Sequence, residues 1–246
     1  MLRLRCLNPG VVMLVALSLA IVGGGCSDDA GSNTDAATHP GDGSVDAERY
    51  PNQPGGDPLV PEVAALPYPS DFFLVADPTT KTGRRVAFVA EALPPQVPPK
   101  TINGADGFSR ITPIVVFLPG SVDDATLPPA DDPAATLKTS SPVLLVEAGT
   151  KMLVPILAEN DCNAPIDAMR TLLIRPLRAL EPKKGYVVIL TNKLKNKAGE
   201  AHHANTAVRA LLDGTPTGVD AIERQREAFV VINQTIAKLG IAKEDV

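Results

Sequence analysis

From residue 171 to 199 the chain reads TLLIRPLRALEPKKGYVVILTNKLKNKAG. Two runs rich in aliphatic and β-branched residues, 172–174 and 186–190, flank a polar piece carrying Pro182 and Gly185. That pattern predicts two strands joined by a turn. Short apolar runs of the same kind recur at 84–89, 111–118, 143–146 and 152–157, each bounded by turn residues. Pro113 must start its strand or lie on an edge, because proline cannot donate to a ladder. No helical period intervenes among these runs, so the pattern predicts a mainly β fold, an antiparallel β-sandwich rather than a parallel α/β sheet. The period changes only after residue 200. Residues 205–212 predict a short helix, and 220–239 a C-terminal amphipathic helix with Ile222, Phe229, Ile232, Ile236 and Leu239 along one face. Asp220 is placed to cap it, Glu223 to complete a capping box and Gly240 to end it.

Composition sharpens this picture. The 246 residues are 44% hydrophobic but only 4% aromatic, with no tryptophan, so the core must be aliphatic. The 24 prolines and 19 glycines suit a loop-rich β protein. A net charge of −5 argues against nucleic-acid binding, which needs clustered Lys and Arg on phosphates. The basic cluster Lys183, Lys184, Lys193, Lys195 and Lys197 reads as the solvated rim of a hairpin.

The first part of the chain has a different character. Arg3 and Arg5 precede an apolar run at 11–22 and then Gly23, Gly24 and Gly25, the layout of an export signal spanning 1–25. The run is short of the roughly 20 apolar residues a membrane helix needs. Residues 26–60, rich in Asp, Gly, Pro and Ser, carry too little apolar surface to offset ordering and predict a disordered acidic tether. Within it, Asp42, Ser44 and Asp46 lack the glycine and final glutamate of a calcium loop. The segment 66–74, LPYPSDFFL, concentrates aromatics between prolines and predicts a strip packed on the sandwich.

Candidate chemistry is sparse. Gly107-Phe108-Ser109-Arg110 begins like a nucleophile elbow, but Ile111 stands at the final glycine position and the serine precedes a strand. Asp123, Asp124, Asp131 and Asp132 lie in a proline-rich loop and read as solvated turn residues. His202 and His203, adjacent in a polar stretch, read the same way. Cys162 is the one cysteine of the body; with Cys6 in the leader and Cys26 ending it, no internal disulfide is expected, and Cys162 reads as an unreactive thiol. One cysteine and a distant histidine pair do not make a zinc site. No phosphate cradle occurs, so no cofactor or metal is expected.

Two resemblances add to these readings. Val22-Gly23-Gly24-Gly25-Cys26 resembles a bacterial lipoprotein box, with Gly23 where the family usually has leucine. The resemblance implies that Cys26 becomes the lipidated N-terminus and that the lipid is the link to the membrane; Ser27 after it implies the outer membrane of a cell envelope. The blocks LPYPSDFFL (66–74), NGADGFSRITP (103–113), GSVDDATL (120–127) and above all 171–199 together resemble the N-terminal region of the bacterial virulence-factor lipases. This implies an Ig-like, non-catalytic module over 61–200 and a helical segment, 201–246, leading to an α/β-hydrolase domain absent from the chain. No GxSxG occurs, so no catalytic residue carries over, and whether the chain acts as an enzyme stays open. The chain is then expected to be part of a longer lipase-like protein, with a hydrolase domain as partner. The alternative is a stand-alone Ig-like surface binding or adhesion lipoprotein.

Overall fold

The computed structural model describes residues 67–93, 97–164, 167 and 170–246. All of them fall within the unit Ser44–Val246. The described strands are β1 (Leu74–Ala76), β2 (Arg84–Val86), β3 (Ile114–Phe117), β4 (Val143–Glu147), β5 (Leu153–Val154), β6 (Ile156–Asn160), β7 (Thr171–Pro176) and β8 (Tyr186–Leu190). They form a β1-β2 hairpin and two three-stranded sheets, ordered β3-β7-β6 and β5-β4-β8, and every pairing is antiparallel. The described residues are thus mainly β, as the hydrophobic pattern predicts.

One prediction about pairing is corrected. The runs at 172–174 and 186–190 are both strands, yet β7 and β8 lie in different sheets and are not joined as a hairpin. Both edges of β7 are already occupied, by β3 on one side and β6 on the other, so no edge remains for β8. The connecting segment instead crosses between sheets, held where Leu177 N–H donates to Pro155 O (3.0 Å) and Leu180 N–H to Arg110 O (2.9 Å).

The predicted strand at 152–157 is two strands for a related reason. Pro155 has no N–H to donate, and it falls between β5, which pairs with β4, and β6, which pairs with β7. The chain changes sheets at this proline. Thr136 closes the break: its hydroxyl donates to Pro133 O (2.7 Å) and accepts from Ile156 N–H (3.2 Å). The crossing lets both sheets contribute to one aliphatic cluster. Ile114, Ala158, Leu172 and Ile174 come from one sheet, Val143, Leu145 and Val154 from the other, with Val122 and Leu194 filling in from loops.

The opposite face of the β5-β4-β8 sheet is covered by helices. α1 (Thr206–Asp213) and α3 (Arg226–Lys238) bring Leu212 and Ile236 onto Leu144, Val146, Val187 and Ile189, with Phe229, Ile232 and Leu239 at the margin. The predicted stripe is therefore core. The predicted single helix at 220–239 is broken, however, into α2 (Asp220–Glu223) and α3. Asp220 is not the cap; Val219 is, without a side-chain bond. Glu223 accepts instead from the backbone (2.8 Å) and hydroxyl (2.7 Å) of Thr217, while Arg226 reaches back to it at 2.7 Å. α1 matches its prediction: Asn205 caps Val208 N–H at 2.9 Å, and Gly214, at φ 80°, ends the helix in the left-handed turn that glycine tolerates.

The aromatics form their own small core. Phe73 and Phe88 stack with centroids 4.3 Å apart, and Tyr68 and Phe108 meet edge-on at 5.6 Å. Val86 and Ala92 complete it. The expected strip on the main sheets is thus a satellite cluster, tied to β3 by the Tyr68–Val115 bridge. β2 stops at Val86 because Asn103 takes over as the next partner: its side chain accepts from Phe88 N–H (2.8 Å) and donates to Phe88 O (2.7 Å).

The sheet edges differ in how they are closed. On β3, Val115 exchanges two backbone bonds with Tyr68 (2.7 and 3.0 Å). On β6, Ile156 N–H is taken by Thr136, but Ala158, which also faces away from β7, has no partner among the described residues. β8 is open over a longer stretch. Its ladder with β4 is bracketed by Ala148 N–H to Gly185 O (2.8 Å) and Thr191 N–H to Pro142 O (3.0 Å). Bonded and non-bonded positions alternate along an antiparallel pair, so Val187 and Ile189 bond to β4 while Tyr186, Val188 and Leu190 turn their N–H and C=O groups outward. Among the described residues no backbone or side-chain group closes that edge.

Candidate functional site

Each residue singled out in the sequence finds a definite place, except those outside the described residues: Cys26, Cys6 and the Asp42, Ser44, Asp46 group. Ser109 is exposed ahead of β3, and its hydroxyl faces only its own turn, 3.4 Å from Ile111 N. The four loop aspartates do not converge. Asp123 caps a short turn by accepting from Ala125 N–H at 3.1 Å, and Asp124 accepts from Asn160 Nδ2 at 2.7 Å. Asp131 and Asp132 are exposed. No group of three or more His, Cys, Asp or Glu able to hold a metal occurs among the described residues.

His202 departs from its prediction as a solvated side chain. It is half-buried, and its Nε2 lies 3.0 Å from the carbonyl oxygen of Ser121. A carbonyl oxygen only accepts, so Nε2 carries the proton and donates it. Burial pushes the His202 imidazole below its usual value, an effect that the Ser121 bond opposes and neighbouring His203 adds to. Ser121 itself is 1% exposed and has a left-handed φ of 54°. Its hydroxyl has no hydrogen-bond partner among the described residues.

Here the fold brings a serine and a histidine together, and the geometry is that of a joint. The imidazole addresses the main-chain carbonyl, not the hydroxyl, and a nucleophile has to reach its substrate and its base. The surrounding bonds serve the same end: Asp123 N–H donates to Lys195 O at 2.7 Å, Lys195 N–H to Thr126 Oγ1 at 3.2 Å, and His202 N–H to Leu194 O at 3.1 Å. The loop after β3 is thereby knitted to the segment after β8, burying Val122 and Leu194 beneath it. No local signal in the sequence links Ser121 to a residue 81 positions away.

Cys162 requires a correction: it is disulfide-bonded. The sequence predicts that no internal disulfide is possible once the leader is gone.

Other charged residues act locally. Thr79 and then Arg85, whose Nε lies 2.5 Å from the carboxylate, hold Asp77 down at about 2. Arg226 and then Thr217 hold Glu223 at about 2. Lys184 lies 3.2 Å from Glu147, and Lys197 pairs with Asp167. The lysines after β7 and β8 are exposed, as expected of a solvated rim. No described helix is long and apolar enough to cross a membrane. No family model matches the chain, and no curated protein or solved structure matches it significantly.

Proposed function

We propose that the chain is a lipid-anchored cell-envelope protein whose folded body is the non-catalytic, Ig-like N-terminal module of a lipase-like protein, with the hydrolase domain lying outside these residues. The observation that carries the reading is the pair of three-stranded antiparallel sheets contributing to one aliphatic cluster, the architecture expected of an Ig-like sandwich. Its suggestive Ser121 and His202 meet through a main-chain carbonyl, which supports a scaffold role for this part of the protein. The anchor rests on the lipoprotein-box sequence ending at Cys26 and on Ser27 behind it, which favour the outer membrane.

Two measurements test this. Purified protein should hydrolyse neither short- nor long-chain esters; turnover abolished by a serine-directed inhibitor would falsify the module reading. Mass spectrometry of the Cys26 peptide tests the anchor, because one sulfur cannot hold both a thioether lipid and a disulfide. A diacylglyceryl group on Cys26 supports it, and a Cys26–Cys162 disulfide in the mature protein removes it. The unclosed edge of β8 favours a second reading, a stand-alone Ig-like surface binding lipoprotein. Coding DNA beyond Val246 separates the two, since a GxSxG strand-turn-helix in frame belongs only to the first.

A further inference from the structure

We propose that one end of the folded body docks on an anionic lipid surface, with apolar turn tips entering the headgroup region and the cations beside them meeting the lipid phosphates. The inference depends neither on a lipid at Cys26 nor on a downstream hydrolase. Three turns make this end: residues 109–113 before β3, 148–152 between β4 and β5, and 177–185 between β7 and β8. The last of them ties the other two together. Leu180 N–H donates to Arg110 O (2.9 Å) and Arg110 Nε donates back to Leu180 O. Lys184 reaches Glu147 (3.2 Å), whose own N–H and C=O close the 148–152 turn on Met152 O (2.9 Å) and Lys151 N–H (2.8 Å). Each turn exposes one large apolar side chain, Ile111 at 74%, Met152 at 61% and Leu177 at 48%. Each of these is next in sequence to a cation: Arg110-Ile111, Lys151-Met152 and Leu177-Arg178.

Charge and side-chain type select the occupant. Lys184 is paired with Glu147, and Arg175 of β7 with Glu159 (2.6 Å). Within the three turns Arg110, Lys151, Arg178 and Lys183 then stand against Glu181, a local cation excess in a chain whose net charge is −5. Asp106, the carboxylate that precedes Arg110 in the chain, leaves that excess in place. Lys151 turns its ammonium inward to Ala148 O and Thr235 Oγ1 (2.9 Å), so exposed Arg110, Arg178 and Lys183 present the outward charge. An apolar residue beside a long cation suits a membrane interface, where the apolar group enters the headgroup boundary and the ammonium or guanidinium stays at phosphate level. The turns themselves go no deeper, because their open N–H and C=O groups need water. A folded protein partner would call for a continuous apolar centre with aromatic anchors. Here the apolar tips stand on separate turns, and the Tyr186 hydroxyl already accepts from Glu181 N–H (2.9 Å). A second copy of this chain would bring two cationic ends face to face.

The chain has no tryptophan, so a single one introduced reports on its own position. Ile111→Trp, in the full chain, is mixed with phosphatidylcholine vesicles that contain phosphatidylglycerol and brominated acyl chains. Its emission should shift to the blue and be quenched about twofold or more, as expected of a side chain at the headgroup boundary, while brominated phosphatidylcholine alone should leave it unchanged. Ala198→Trp, at an exposed position beyond the other end of β8, should not be quenched. The readout is local, so a membrane link elsewhere in the chain does not reproduce it. Should Ile111→Trp not fold, Leu177→Trp takes its place. Adding Arg178→Gln with Lys183→Asn, asparagine suiting the left-handed φ of 58° at that position, should weaken partition about thirtyfold. Equal quenching at both ends, quenching unaffected by the charge change, or none at either end overturns the proposal. A blue shift that grows with protein concentration in the absence of vesicles assigns this end to a second copy, and one produced by dextran sulfate without bromine quenching in vesicles assigns it to a soluble polyanion; both overturn it.

Discussion

His202 couples the stability of the fold to pH through a single ring. Its folded value lies below the ordinary 6.5 because burial penalises the imidazolium more than the Ser121 carbonyl rewards it. The unfolded chain therefore binds the proton more readily, and stability falls as pH drops below about 6.5 toward the folded value. His202→Gln keeps a donor for Ser121 and removes the titration, so its denaturation midpoint should decline less than that of the wild type across that window. Asp77 and Glu223 act lower on the scale. Both sit at about 2, against ordinary values of 3.8 and 4.5, so their contribution is complete above those values and is lost as pH falls toward 2. A wild-type curve with no decline between pH 6.5 and 4.5 would remove His202 from this account.

Thr136 is the other residue whose role is out of proportion to its size. It is 1% exposed and satisfies Ile156 N–H where Pro155 breaks the strand. Thr136→Val keeps the shape and strands that donor in an apolar setting. Urea denaturation should show a loss of about 1–3 kcal/mol, the cost of a buried group left unpaired. A neutral result would mean that water replaces the hydroxyl.

At the scale of elements, the strands owe their existence to local runs and their partners to packing. Leu172 in β7 is 1% exposed within the cluster that both sheets share. Leu172→Ala should destabilise by about 2–5 kcal/mol in denaturant titration, because a cavity there is walled by strands of two sheets and cannot collapse easily. Ile236 of α3, also 1% exposed, joins the helices to the other face of β4 and β8. Ile236→Ala should cost a similar amount in the same cooperative transition. A separate, earlier transition in that variant would show that the helices fold as an independent segment, the arrangement implied by placing a boundary at residue 200.

For the whole molecule, the order β3-β7-β6 and β5-β4-β8 means that two pairings, β3-β7 and β4-β8, join strands far apart in sequence. Such long-range pairing explains which parts of the site were legible. The strand at 186–190 could be read to the residue, since alternation and a flanking Gly185 act over a few positions. Its openness could not, because an edge is defined by what fails to arrive from elsewhere in the chain. The same holds at Ser121 and His202, whose meeting depends on two loops docking over Val122 and Leu194. Cys26 was the reverse case, a site read wholly from short sequence, whose chemistry is decided by the mass of its peptide.

The sequence by itself determined what local interactions determine: the β character of the body, the places of most of its strands, the short helix over 205–212, the buried stripe of the last helix and the restriction of Pro113 to a strand's start or an edge. Tertiary structure alone decided the rest. It split 152–157 between two sheets at Pro155, separated β7 from β8, drew the aromatics into a satellite core and left the outer edge of β8 without a partner among the described residues. The physical reason is one of range. Propensity and periodicity act over a turn or a strand, whereas register, edge occupancy and burial depend on competition among segments far apart in the chain, and that competition is settled only when they pack together.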